Sequence, residues 1–111
     1  MKYIFKIAMV DDDEIFLHQL KEYGERAKQD LQLNVSIDTF SDSEAFANEH
    51  ADQYDIIFLD IEMPERDGFW LAEQLGISCP ETRLIFVSSH ESWVFDAHEY
   101  MPLWFVRKGL L

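Results

Sequence analysis

Three short apolar runs punctuate the chain: "YIFKIAMV" at 3–10, "YDIIFLD" at 54–60 and "RLIFVSS" at 83–89. Each is rich in Ile, Val and Phe, and each is near-continuous rather than alternating. Strands buried on both faces read this way, which predicts a parallel sheet with helices on either side. A weaker run, "LNVSIDTF" at 33–40, and a last one, "LWFV" at 103–106, bring the strands to five. Helical spacing fills the gaps. In 14–31, Ile15, Leu17, Leu20, Tyr23, Ala27 and Leu31 recur every three to four residues, with Gly24 as a blemish. "SDSEAFANEH" opens on Ser41 with Glu44 three residues later, a capping-box pattern. "DGFWLAEQLGI" follows the third strand and is expected to bury Phe69, Leu71, Ala72 and Leu75, and "ESWVFDAHEYM" follows the fourth until Pro102 stops it. Strict β-α alternation with short connections implies right-handed crossovers and a doubly wound α/β sandwich.

Composition places this pattern in one globular domain. A chain of 111 residues, 48% hydrophobic and 14% aromatic, can bury roughly 60–70% of its unfolded surface. It carries 22 acidic against 9 basic residues, a formal net charge of −13. That balance argues against nucleic-acid or anionic-membrane binding by this chain, because both need clustered Lys and Arg. It suits metal ions and basic partner surfaces. The single cysteine, Cys79, excludes an intrachain disulfide and fits a reducing cytosol. The N-terminal "MKYIFKIAMV" is no signal peptide: Lys6 interrupts it, no small-residue cleavage site follows, and carboxylates come next. Without an apolar stretch long enough to span a bilayer, the expected location is cytoplasmic.

The chemistry is announced by "IAMVDDDEIF", where a strand runs straight into Asp11, Asp12, Asp13 and Glu14. Like charges this close disfavour one another's ionisation, so the crowding needs a purpose. In a doubly wound sheet, ligands bind beyond the carboxyl ends of the strands where the strand order reverses. For the order 2-1-3-4-5 that point lies between the first and third strands, which end in Asp11–Asp12 and in Asp60. Three carboxylates meeting there call for a hard divalent cation, Mg²⁺ or Mn²⁺. Ser88 ends the fourth strand and Lys108 the fifth, so a hydroxyl and an ammonium would face the same cleft. Together these groups form a receptacle for a phosphoryl group, with a carboxylate as nucleophile. Asp13 and Glu14 fit the first turn of a helix, where the macrodipole favours negative charge.

These motifs, "MVDDDE", "FLDIEMPERDG" with its D-x-x-M-P-x-x-x-G spacing, "IFVSSH" and "FVRK", resemble the receiver domain of two-component response regulators over essentially the whole chain, residues 1–111. The resemblance implies a flavodoxin-like fold with Asp60 as phosphoacceptor. It further implies Asp12 as direct Mg²⁺ ligand, Asp11 acting mainly through water, and Glu62 lending its backbone carbonyl. Ser88 would be the switch hydroxyl, Lys108 the phosphate-binding lysine, and Ser89 the small residue that leaves room for the phosphoryl group. Glu62 and His90 fall at positions whose side chains tune autodephosphorylation in this family. The implied partner is a sensor histidine kinase, and the implied output is transcriptional, through a DNA-binding domain lying outside this sequence. The stretch from Ser88 to Lys108 also resembles receivers attached to LytTR-type output domains.

Three departures qualify the resemblance. Gly109 follows Lys108 where proline is common, and the aromatic switch position holds Phe105 where Tyr is frequent, so coupling there would rest on packing. The sequence also stops three residues after Lys108, so the family's fifth helix is expected to be truncated or missing. Apolar surface of the first, third and fifth strands would then be left bare, which predicts self-association, a homodimer in the simplest case. Two alternatives to a phosphorylated switch remain. One is a pseudo-receiver that only binds partners. The other is an aspartate-nucleophile phosphatase of the haloacid-dehalogenase type using Asp11 and Asp13 as its D-x-D pair. His18, His50, His90 and His98 show no metal-ligand spacing, and Trp70, Trp93 and Trp104 fit core or partner-facing positions. Arg66 and Asp67 are expected to shape the turn before the third helix, Arg66 within possible reach of the site.

Overall fold

The computed structural model describes residues 3–49, 51–63 and 67–110. Elements alternate in the expected order: β1 (Phe5–Val10), α1 (Glu14–Asp30), β2 (Val35–Phe40), α2 (Ser43–Glu49), β3 (Ile56–Asp60), α3 (Gly68–Ser78), β4 (Arg83–Ser88), α4 (Val94–His98) and β5 (Trp104–Arg107). Short 3₁₀ turns occupy Ala51–Gln53, Glu91–Trp93 and Lys108–Leu110. All pairings are parallel, in the order β2-β1-β3-β4-β5. Among the described residues no α-helix follows β5, and no helix is long and apolar enough to cross a membrane. His50 and Arg66 lie outside the described residues.

Strand alternation sends successive side chains to opposite faces of the sheet. On one face Ala8, Val10, Ile57, Leu59, Leu84 and Phe86 pack against Phe46 of α2, Leu71, Ala72 and Leu75 of α3, and Ala97 of α4. On the other, Met9, Ile37 and Val87 meet Phe16, Leu17 and Leu20 of α1. Ile7, Phe58 and Val106 on that second face are only partly buried. Burial of both faces explains why β1, β3 and β4 read as near-continuous apolar runs.

Helix α1 buries Phe16, Leu17 and Leu20, while Ile15, Tyr23, Ala27 and Leu31, four of the six expected to form its apolar stripe, are exposed. The cause is Gly24. A β-carbon there would stand 2.7 Å from Ile37 Cδ1, so the glycine faces β2 and lets the helix axis come close. With Gly24 against the sheet, positions 16, 17 and 20 are the ones that share its face.

The start of α2 also differs. The amide of Ala45 donates to Asp42 Oδ1 at 3.1 Å, so Asp42 caps the helix and Ser41 does not. Asp67 caps α3 by accepting from the Trp70 amide at 2.9 Å, in keeping with its expected role in that turn. Phe69 is half-buried, stacked on Tyr100 at 5.2 Å between ring centres. Helix α4 has a single buried residue, Ala97, and ends well before Pro102.

Candidate functional site

The sheet register builds the site. Val10 of β1 lies opposite Leu59 of β3, so the next residues along, Asp11 and Asp60, arrive side by side. Asp60 in turn lies opposite Val87 of β4, and Ser88 opposite Arg107 of β5, which puts Ser88 and Lys108 at the same end of the sheet. Lys108 comes from the turn just after β5 rather than from the strand itself.

Asp11, Asp60 and Ser88 are buried, while Asp12 is exposed at the mouth. Asp11, Asp12 and Asp60 each offer a carboxylate oxygen, and these oxygens all lie within 4.8 Å of one another. The Lys108 ammonium stands 2.8 Å from Asp11 Oδ2 and 3.3 Å from Asp60 Oδ1. It also sits 4.6 Å above the ring centre of Phe16, which links the cleft to α1. Asp11 Oδ1 accepts from the Asp13 amide at 2.9 Å, but its buried Oδ2 takes no directed hydrogen bond. Its approach to Lys108 is therefore Coulombic rather than a well-aligned bond.

The electrostatics follow from burial and crowding. Burial, and next the negative charge of Asp11, push the Asp60 carboxyl up to about 8, although Lys108 pulls the other way. Burial disfavours the Lys108 cation as well, but Asp11 and Asp60 outweigh that and hold it above the ordinary lysine range. One ammonium against three carboxylates leaves the cleft short of positive charge. The donor set is all hard oxygen, and the buried Asp11 Oδ2 lacks a directed bond, so these residues fit Mg²⁺ or Mn²⁺.

Asp13 does not join them. It caps α1 by accepting from the Phe16 amide at 3.1 Å, and Glu14 follows in the first turn, as the helix dipole favours. The Asp11–Asp13 pair of a haloacid-dehalogenase site is thus not assembled in this cleft. Ser89 is exposed and Phe105 half-buried against the α2–α3–α4 face. Gly109 lies in the 3₁₀ turn with no positive φ among the described glycines.

Two contributors escaped sequence reasoning. Gly68, at the start of α3, lies so near the acceptor strand that a β-carbon would fall 2.4 Å from the Asp60 carbonyl oxygen and 2.9 Å from Ile61 Cα. Any side chain there would displace the backbone that carries Asp60. Its place at the end of the D-x-x-M-P-x-x-x-G spacing was the available signal. Trp93 is the second. Its indole Nε1 donates to Glu62 Oε1 at 2.9 Å, and His90 Nδ1 lies 2.5 Å from the same oxygen. These two contacts hold the Glu62 carboxyl below its usual range.

Residues 7–103 match the response regulator receiver domain. The chain belongs to that family, whose members are signalling modules of two-component systems. It is 30% identical over 101 residues to the transcriptional regulatory protein NatR of Bacillus subtilis (strain 168), covering 86% of this chain and 42% of NatR. It is 27% identical over 100 residues to the sensory transduction protein LytR of Streptococcus agalactiae serotype V, covering 90% of this chain and 41% of LytR. The chain thus spans about two fifths of the length of these curated relatives. Among solved structures, the CheX–CheY–BeF3–Mg²⁺ complex from Borrelia burgdorferi superposes with a TM-score of 0.75 at 26% identity, covering 93% of this chain and 77% of that one.

Proposed function

We propose that residues 1–111 form one receiver unit that takes a phosphoryl group from a sensor histidine kinase onto Asp60. The observation that carries this is the convergence of Asp11, Asp12 and Asp60 within 4.8 Å, with the Lys108 ammonium 3.3 Å from Asp60. An oxygen of the Asp60 carboxylate attacks phosphorus as the bond to the donor imidazole nitrogen breaks, leaving an acyl phosphate and a free imidazole. The attack needs an ionised Asp60, which burial and Asp11 oppose and Lys108 favours. Asp11, Asp12, Asp60 and the Glu62 backbone carbonyl would hold Mg²⁺ or Mn²⁺, and the charge of that ion would favour an ionised Asp60. Lys108 pairs with one phosphoryl oxygen, Ser88 donates to another, and exposed Ser89 leaves the entrance open. Glu62 and His90, in contact with each other at the mouth, set how readily water attacks the acyl phosphate.

The domain switches rather than turning substrate over. Inward rotation of Ser88 draws the segment after β4 with it, and half-buried Phe105 follows by packing. Phosphorylation thereby shifts a two-state equilibrium and biases an output, transcription being the one favoured by the similarity to the transcriptional regulatory protein NatR. DNA contact falls to a separate output domain, of LytTR type in this proposal, because the net charge of −13 disfavours it here. The protein works in the cytoplasm and self-associates through the sparsely covered α1 face.

Intact-mass spectrometry after incubation with Mg²⁺ and acetyl phosphate tests the assignment. A single added phosphoryl group that disappears in Asp60→Ala is expected. No adduct on the wild-type chain while it still binds Mg²⁺ would replace the proposal with a pseudo-receiver.

A further inference from the structure

The Ser88 hydroxyl is already engaged, with Glu62 and His90. It accepts from the His90 amide at 3.0 Å, and its nearest acceptors are the His90 carbonyl at 3.3 Å and Glu62 Oε1 at 3.5 Å. Glu62 lies in the connection after β3, two residues beyond Asp60, whereas His90 and Trp93 lie in the segment after β4. The bonds from His90 Nδ1 (2.5 Å) and Trp93 Nε1 (2.9 Å) to Glu62 Oε1 therefore tie the acceptor connection to the segment that must move when Ser88 turns. The Trp93 ring also leans edge-on against Phe69 at 5.7 Å between centres, and Phe69 touches Phe86 of the core at 5.4 Å. The Trp93 end of the tie is therefore packed against the core.

We propose that Glu62, His90 and Trp93 form a latch that holds Ser88 in the unphosphorylated arrangement, with Trp93 a positioning residue for the switch. The proposal rests on Asp60 being the phosphoacceptor. Ser88 can reach a phosphoryl oxygen only by giving up its bonds to residue 90. Residue 90 can follow only by leaving Glu62, and Trp93 moves with it into the start of α4. Every bond in the latch is made in the resting state and lost in the phosphorylated one, so its strength is subtracted from the affinity for the phosphoryl group.

Trp93→Phe is the cleanest probe. It removes the indole N–H, keeps an aromatic ring beside Phe69, and changes no charge, so relief of anion repulsion cannot explain a gain. Wild type, Trp93→Phe, Glu62→Ala and the double variant would each be titrated with beryllofluoride at saturating Mg²⁺ by calorimetry, and with Mg²⁺ alone. Loss of one such bond is expected to tighten beryllofluoride binding about three- to tenfold. The double variant should gain less than the product of the two single effects, since both remove the same bond. Mg²⁺ affinity of Trp93→Phe should stay within about twofold of wild type, the spread expected for a remote change. His90→Ala, which deletes the other donor, should tighten binding likewise and stands in if Trp93→Phe is poorly folded. Unchanged or weaker beryllofluoride binding in these variants, with wild type binding normally, overturns the latch alone. Failure of wild type itself to bind beryllofluoride overturns both the latch and the phosphoacceptor assignment.

Discussion

The two faces of the sheet are built from the same strands but finished differently. Three helices cover one face, where Phe46, Ile57, Leu59, Leu71 and Phe86 are fully enclosed. On the other, among the described residues, α1 alone packs, over Met9, Ile37 and Val87, and leaves Ile7, Phe58 and Val106 half-buried. Alternation along β3 sends Phe58 one way and Ile57 and Leu59 the other, so one strand samples both environments. Hydrophobic stabilisation follows area removed from water, so equal side chains on the two faces should contribute unequally. The acidic cleft lies where the faces meet. Asp60 ends β3, and Lys108 reaches it across Phe16 of the thinly covered side.

The largest test of this asymmetry is Phe86→Ala, expected to cost about 3–5 kcal/mol in chemical denaturation, the range for a large cavity in an enclosed core. The next concerns the cleft. Without divalent metal, Asp60 in the folded chain holds its proton up to about pH 8, against 3.8 for a free carboxyl. The folded state therefore binds more protons than the unfolded one between those values. Its stability is greatest below the lower value and falls as pH rises through the upper. The melting temperature of the metal-free protein should drop by more than about 10 °C between pH 5 and pH 8.5. Added Mg²⁺ should recover most of that at the alkaline end. A flat metal-free profile would mean that Lys108 already compensates the cluster.

Phe58→Ala sharpens the contrast between faces. As a half-exposed residue it should cost about 1–2 kcal/mol in dilute solution, well short of its enclosed counterpart. If its cost rises towards that of Phe86→Ala with protein concentration, another copy covers this face. The smallest signal is association itself: light scattering should give a mass above that of one chain at high concentration, falling on dilution. A monomer mass throughout would show that α1 suffices.

Much of this is legible in the amino-acid sequence. The five strands follow from the apolar runs, and the meeting of Asp11, Asp12 and Asp60 follows once those strands take the 2-1-3-4-5 order that the family resemblance implies. Strand ends in a parallel sheet must share one edge, so residues far apart in the chain are forced together. Less visible was the rotation of α1. Ile15, Phe16 and Leu17 are consecutive, so hydrophobicity alone permits more than one buried stripe. Close approach of Gly24 to Ile37 selected among them. At α2, Ser41 and Asp42 are both good caps, and the backbone turn chose Asp42. Sequence spacing gave no hint of the latch, because Glu62 and Trp93 are 31 residues apart and neither type predicts the other.

By itself, then, the amino-acid order determined which residues are strands, which carboxylates end them and what chemistry they share, because period and strand-end position are local properties. Only the folded chain decided how α1 is turned, that Gly68 must be bare for Asp60 to sit where it does, and what holds Ser88. Those outcomes depend on distances between surfaces brought together from separate parts of the chain, and such distances exist only once the sheet and its helices have packed.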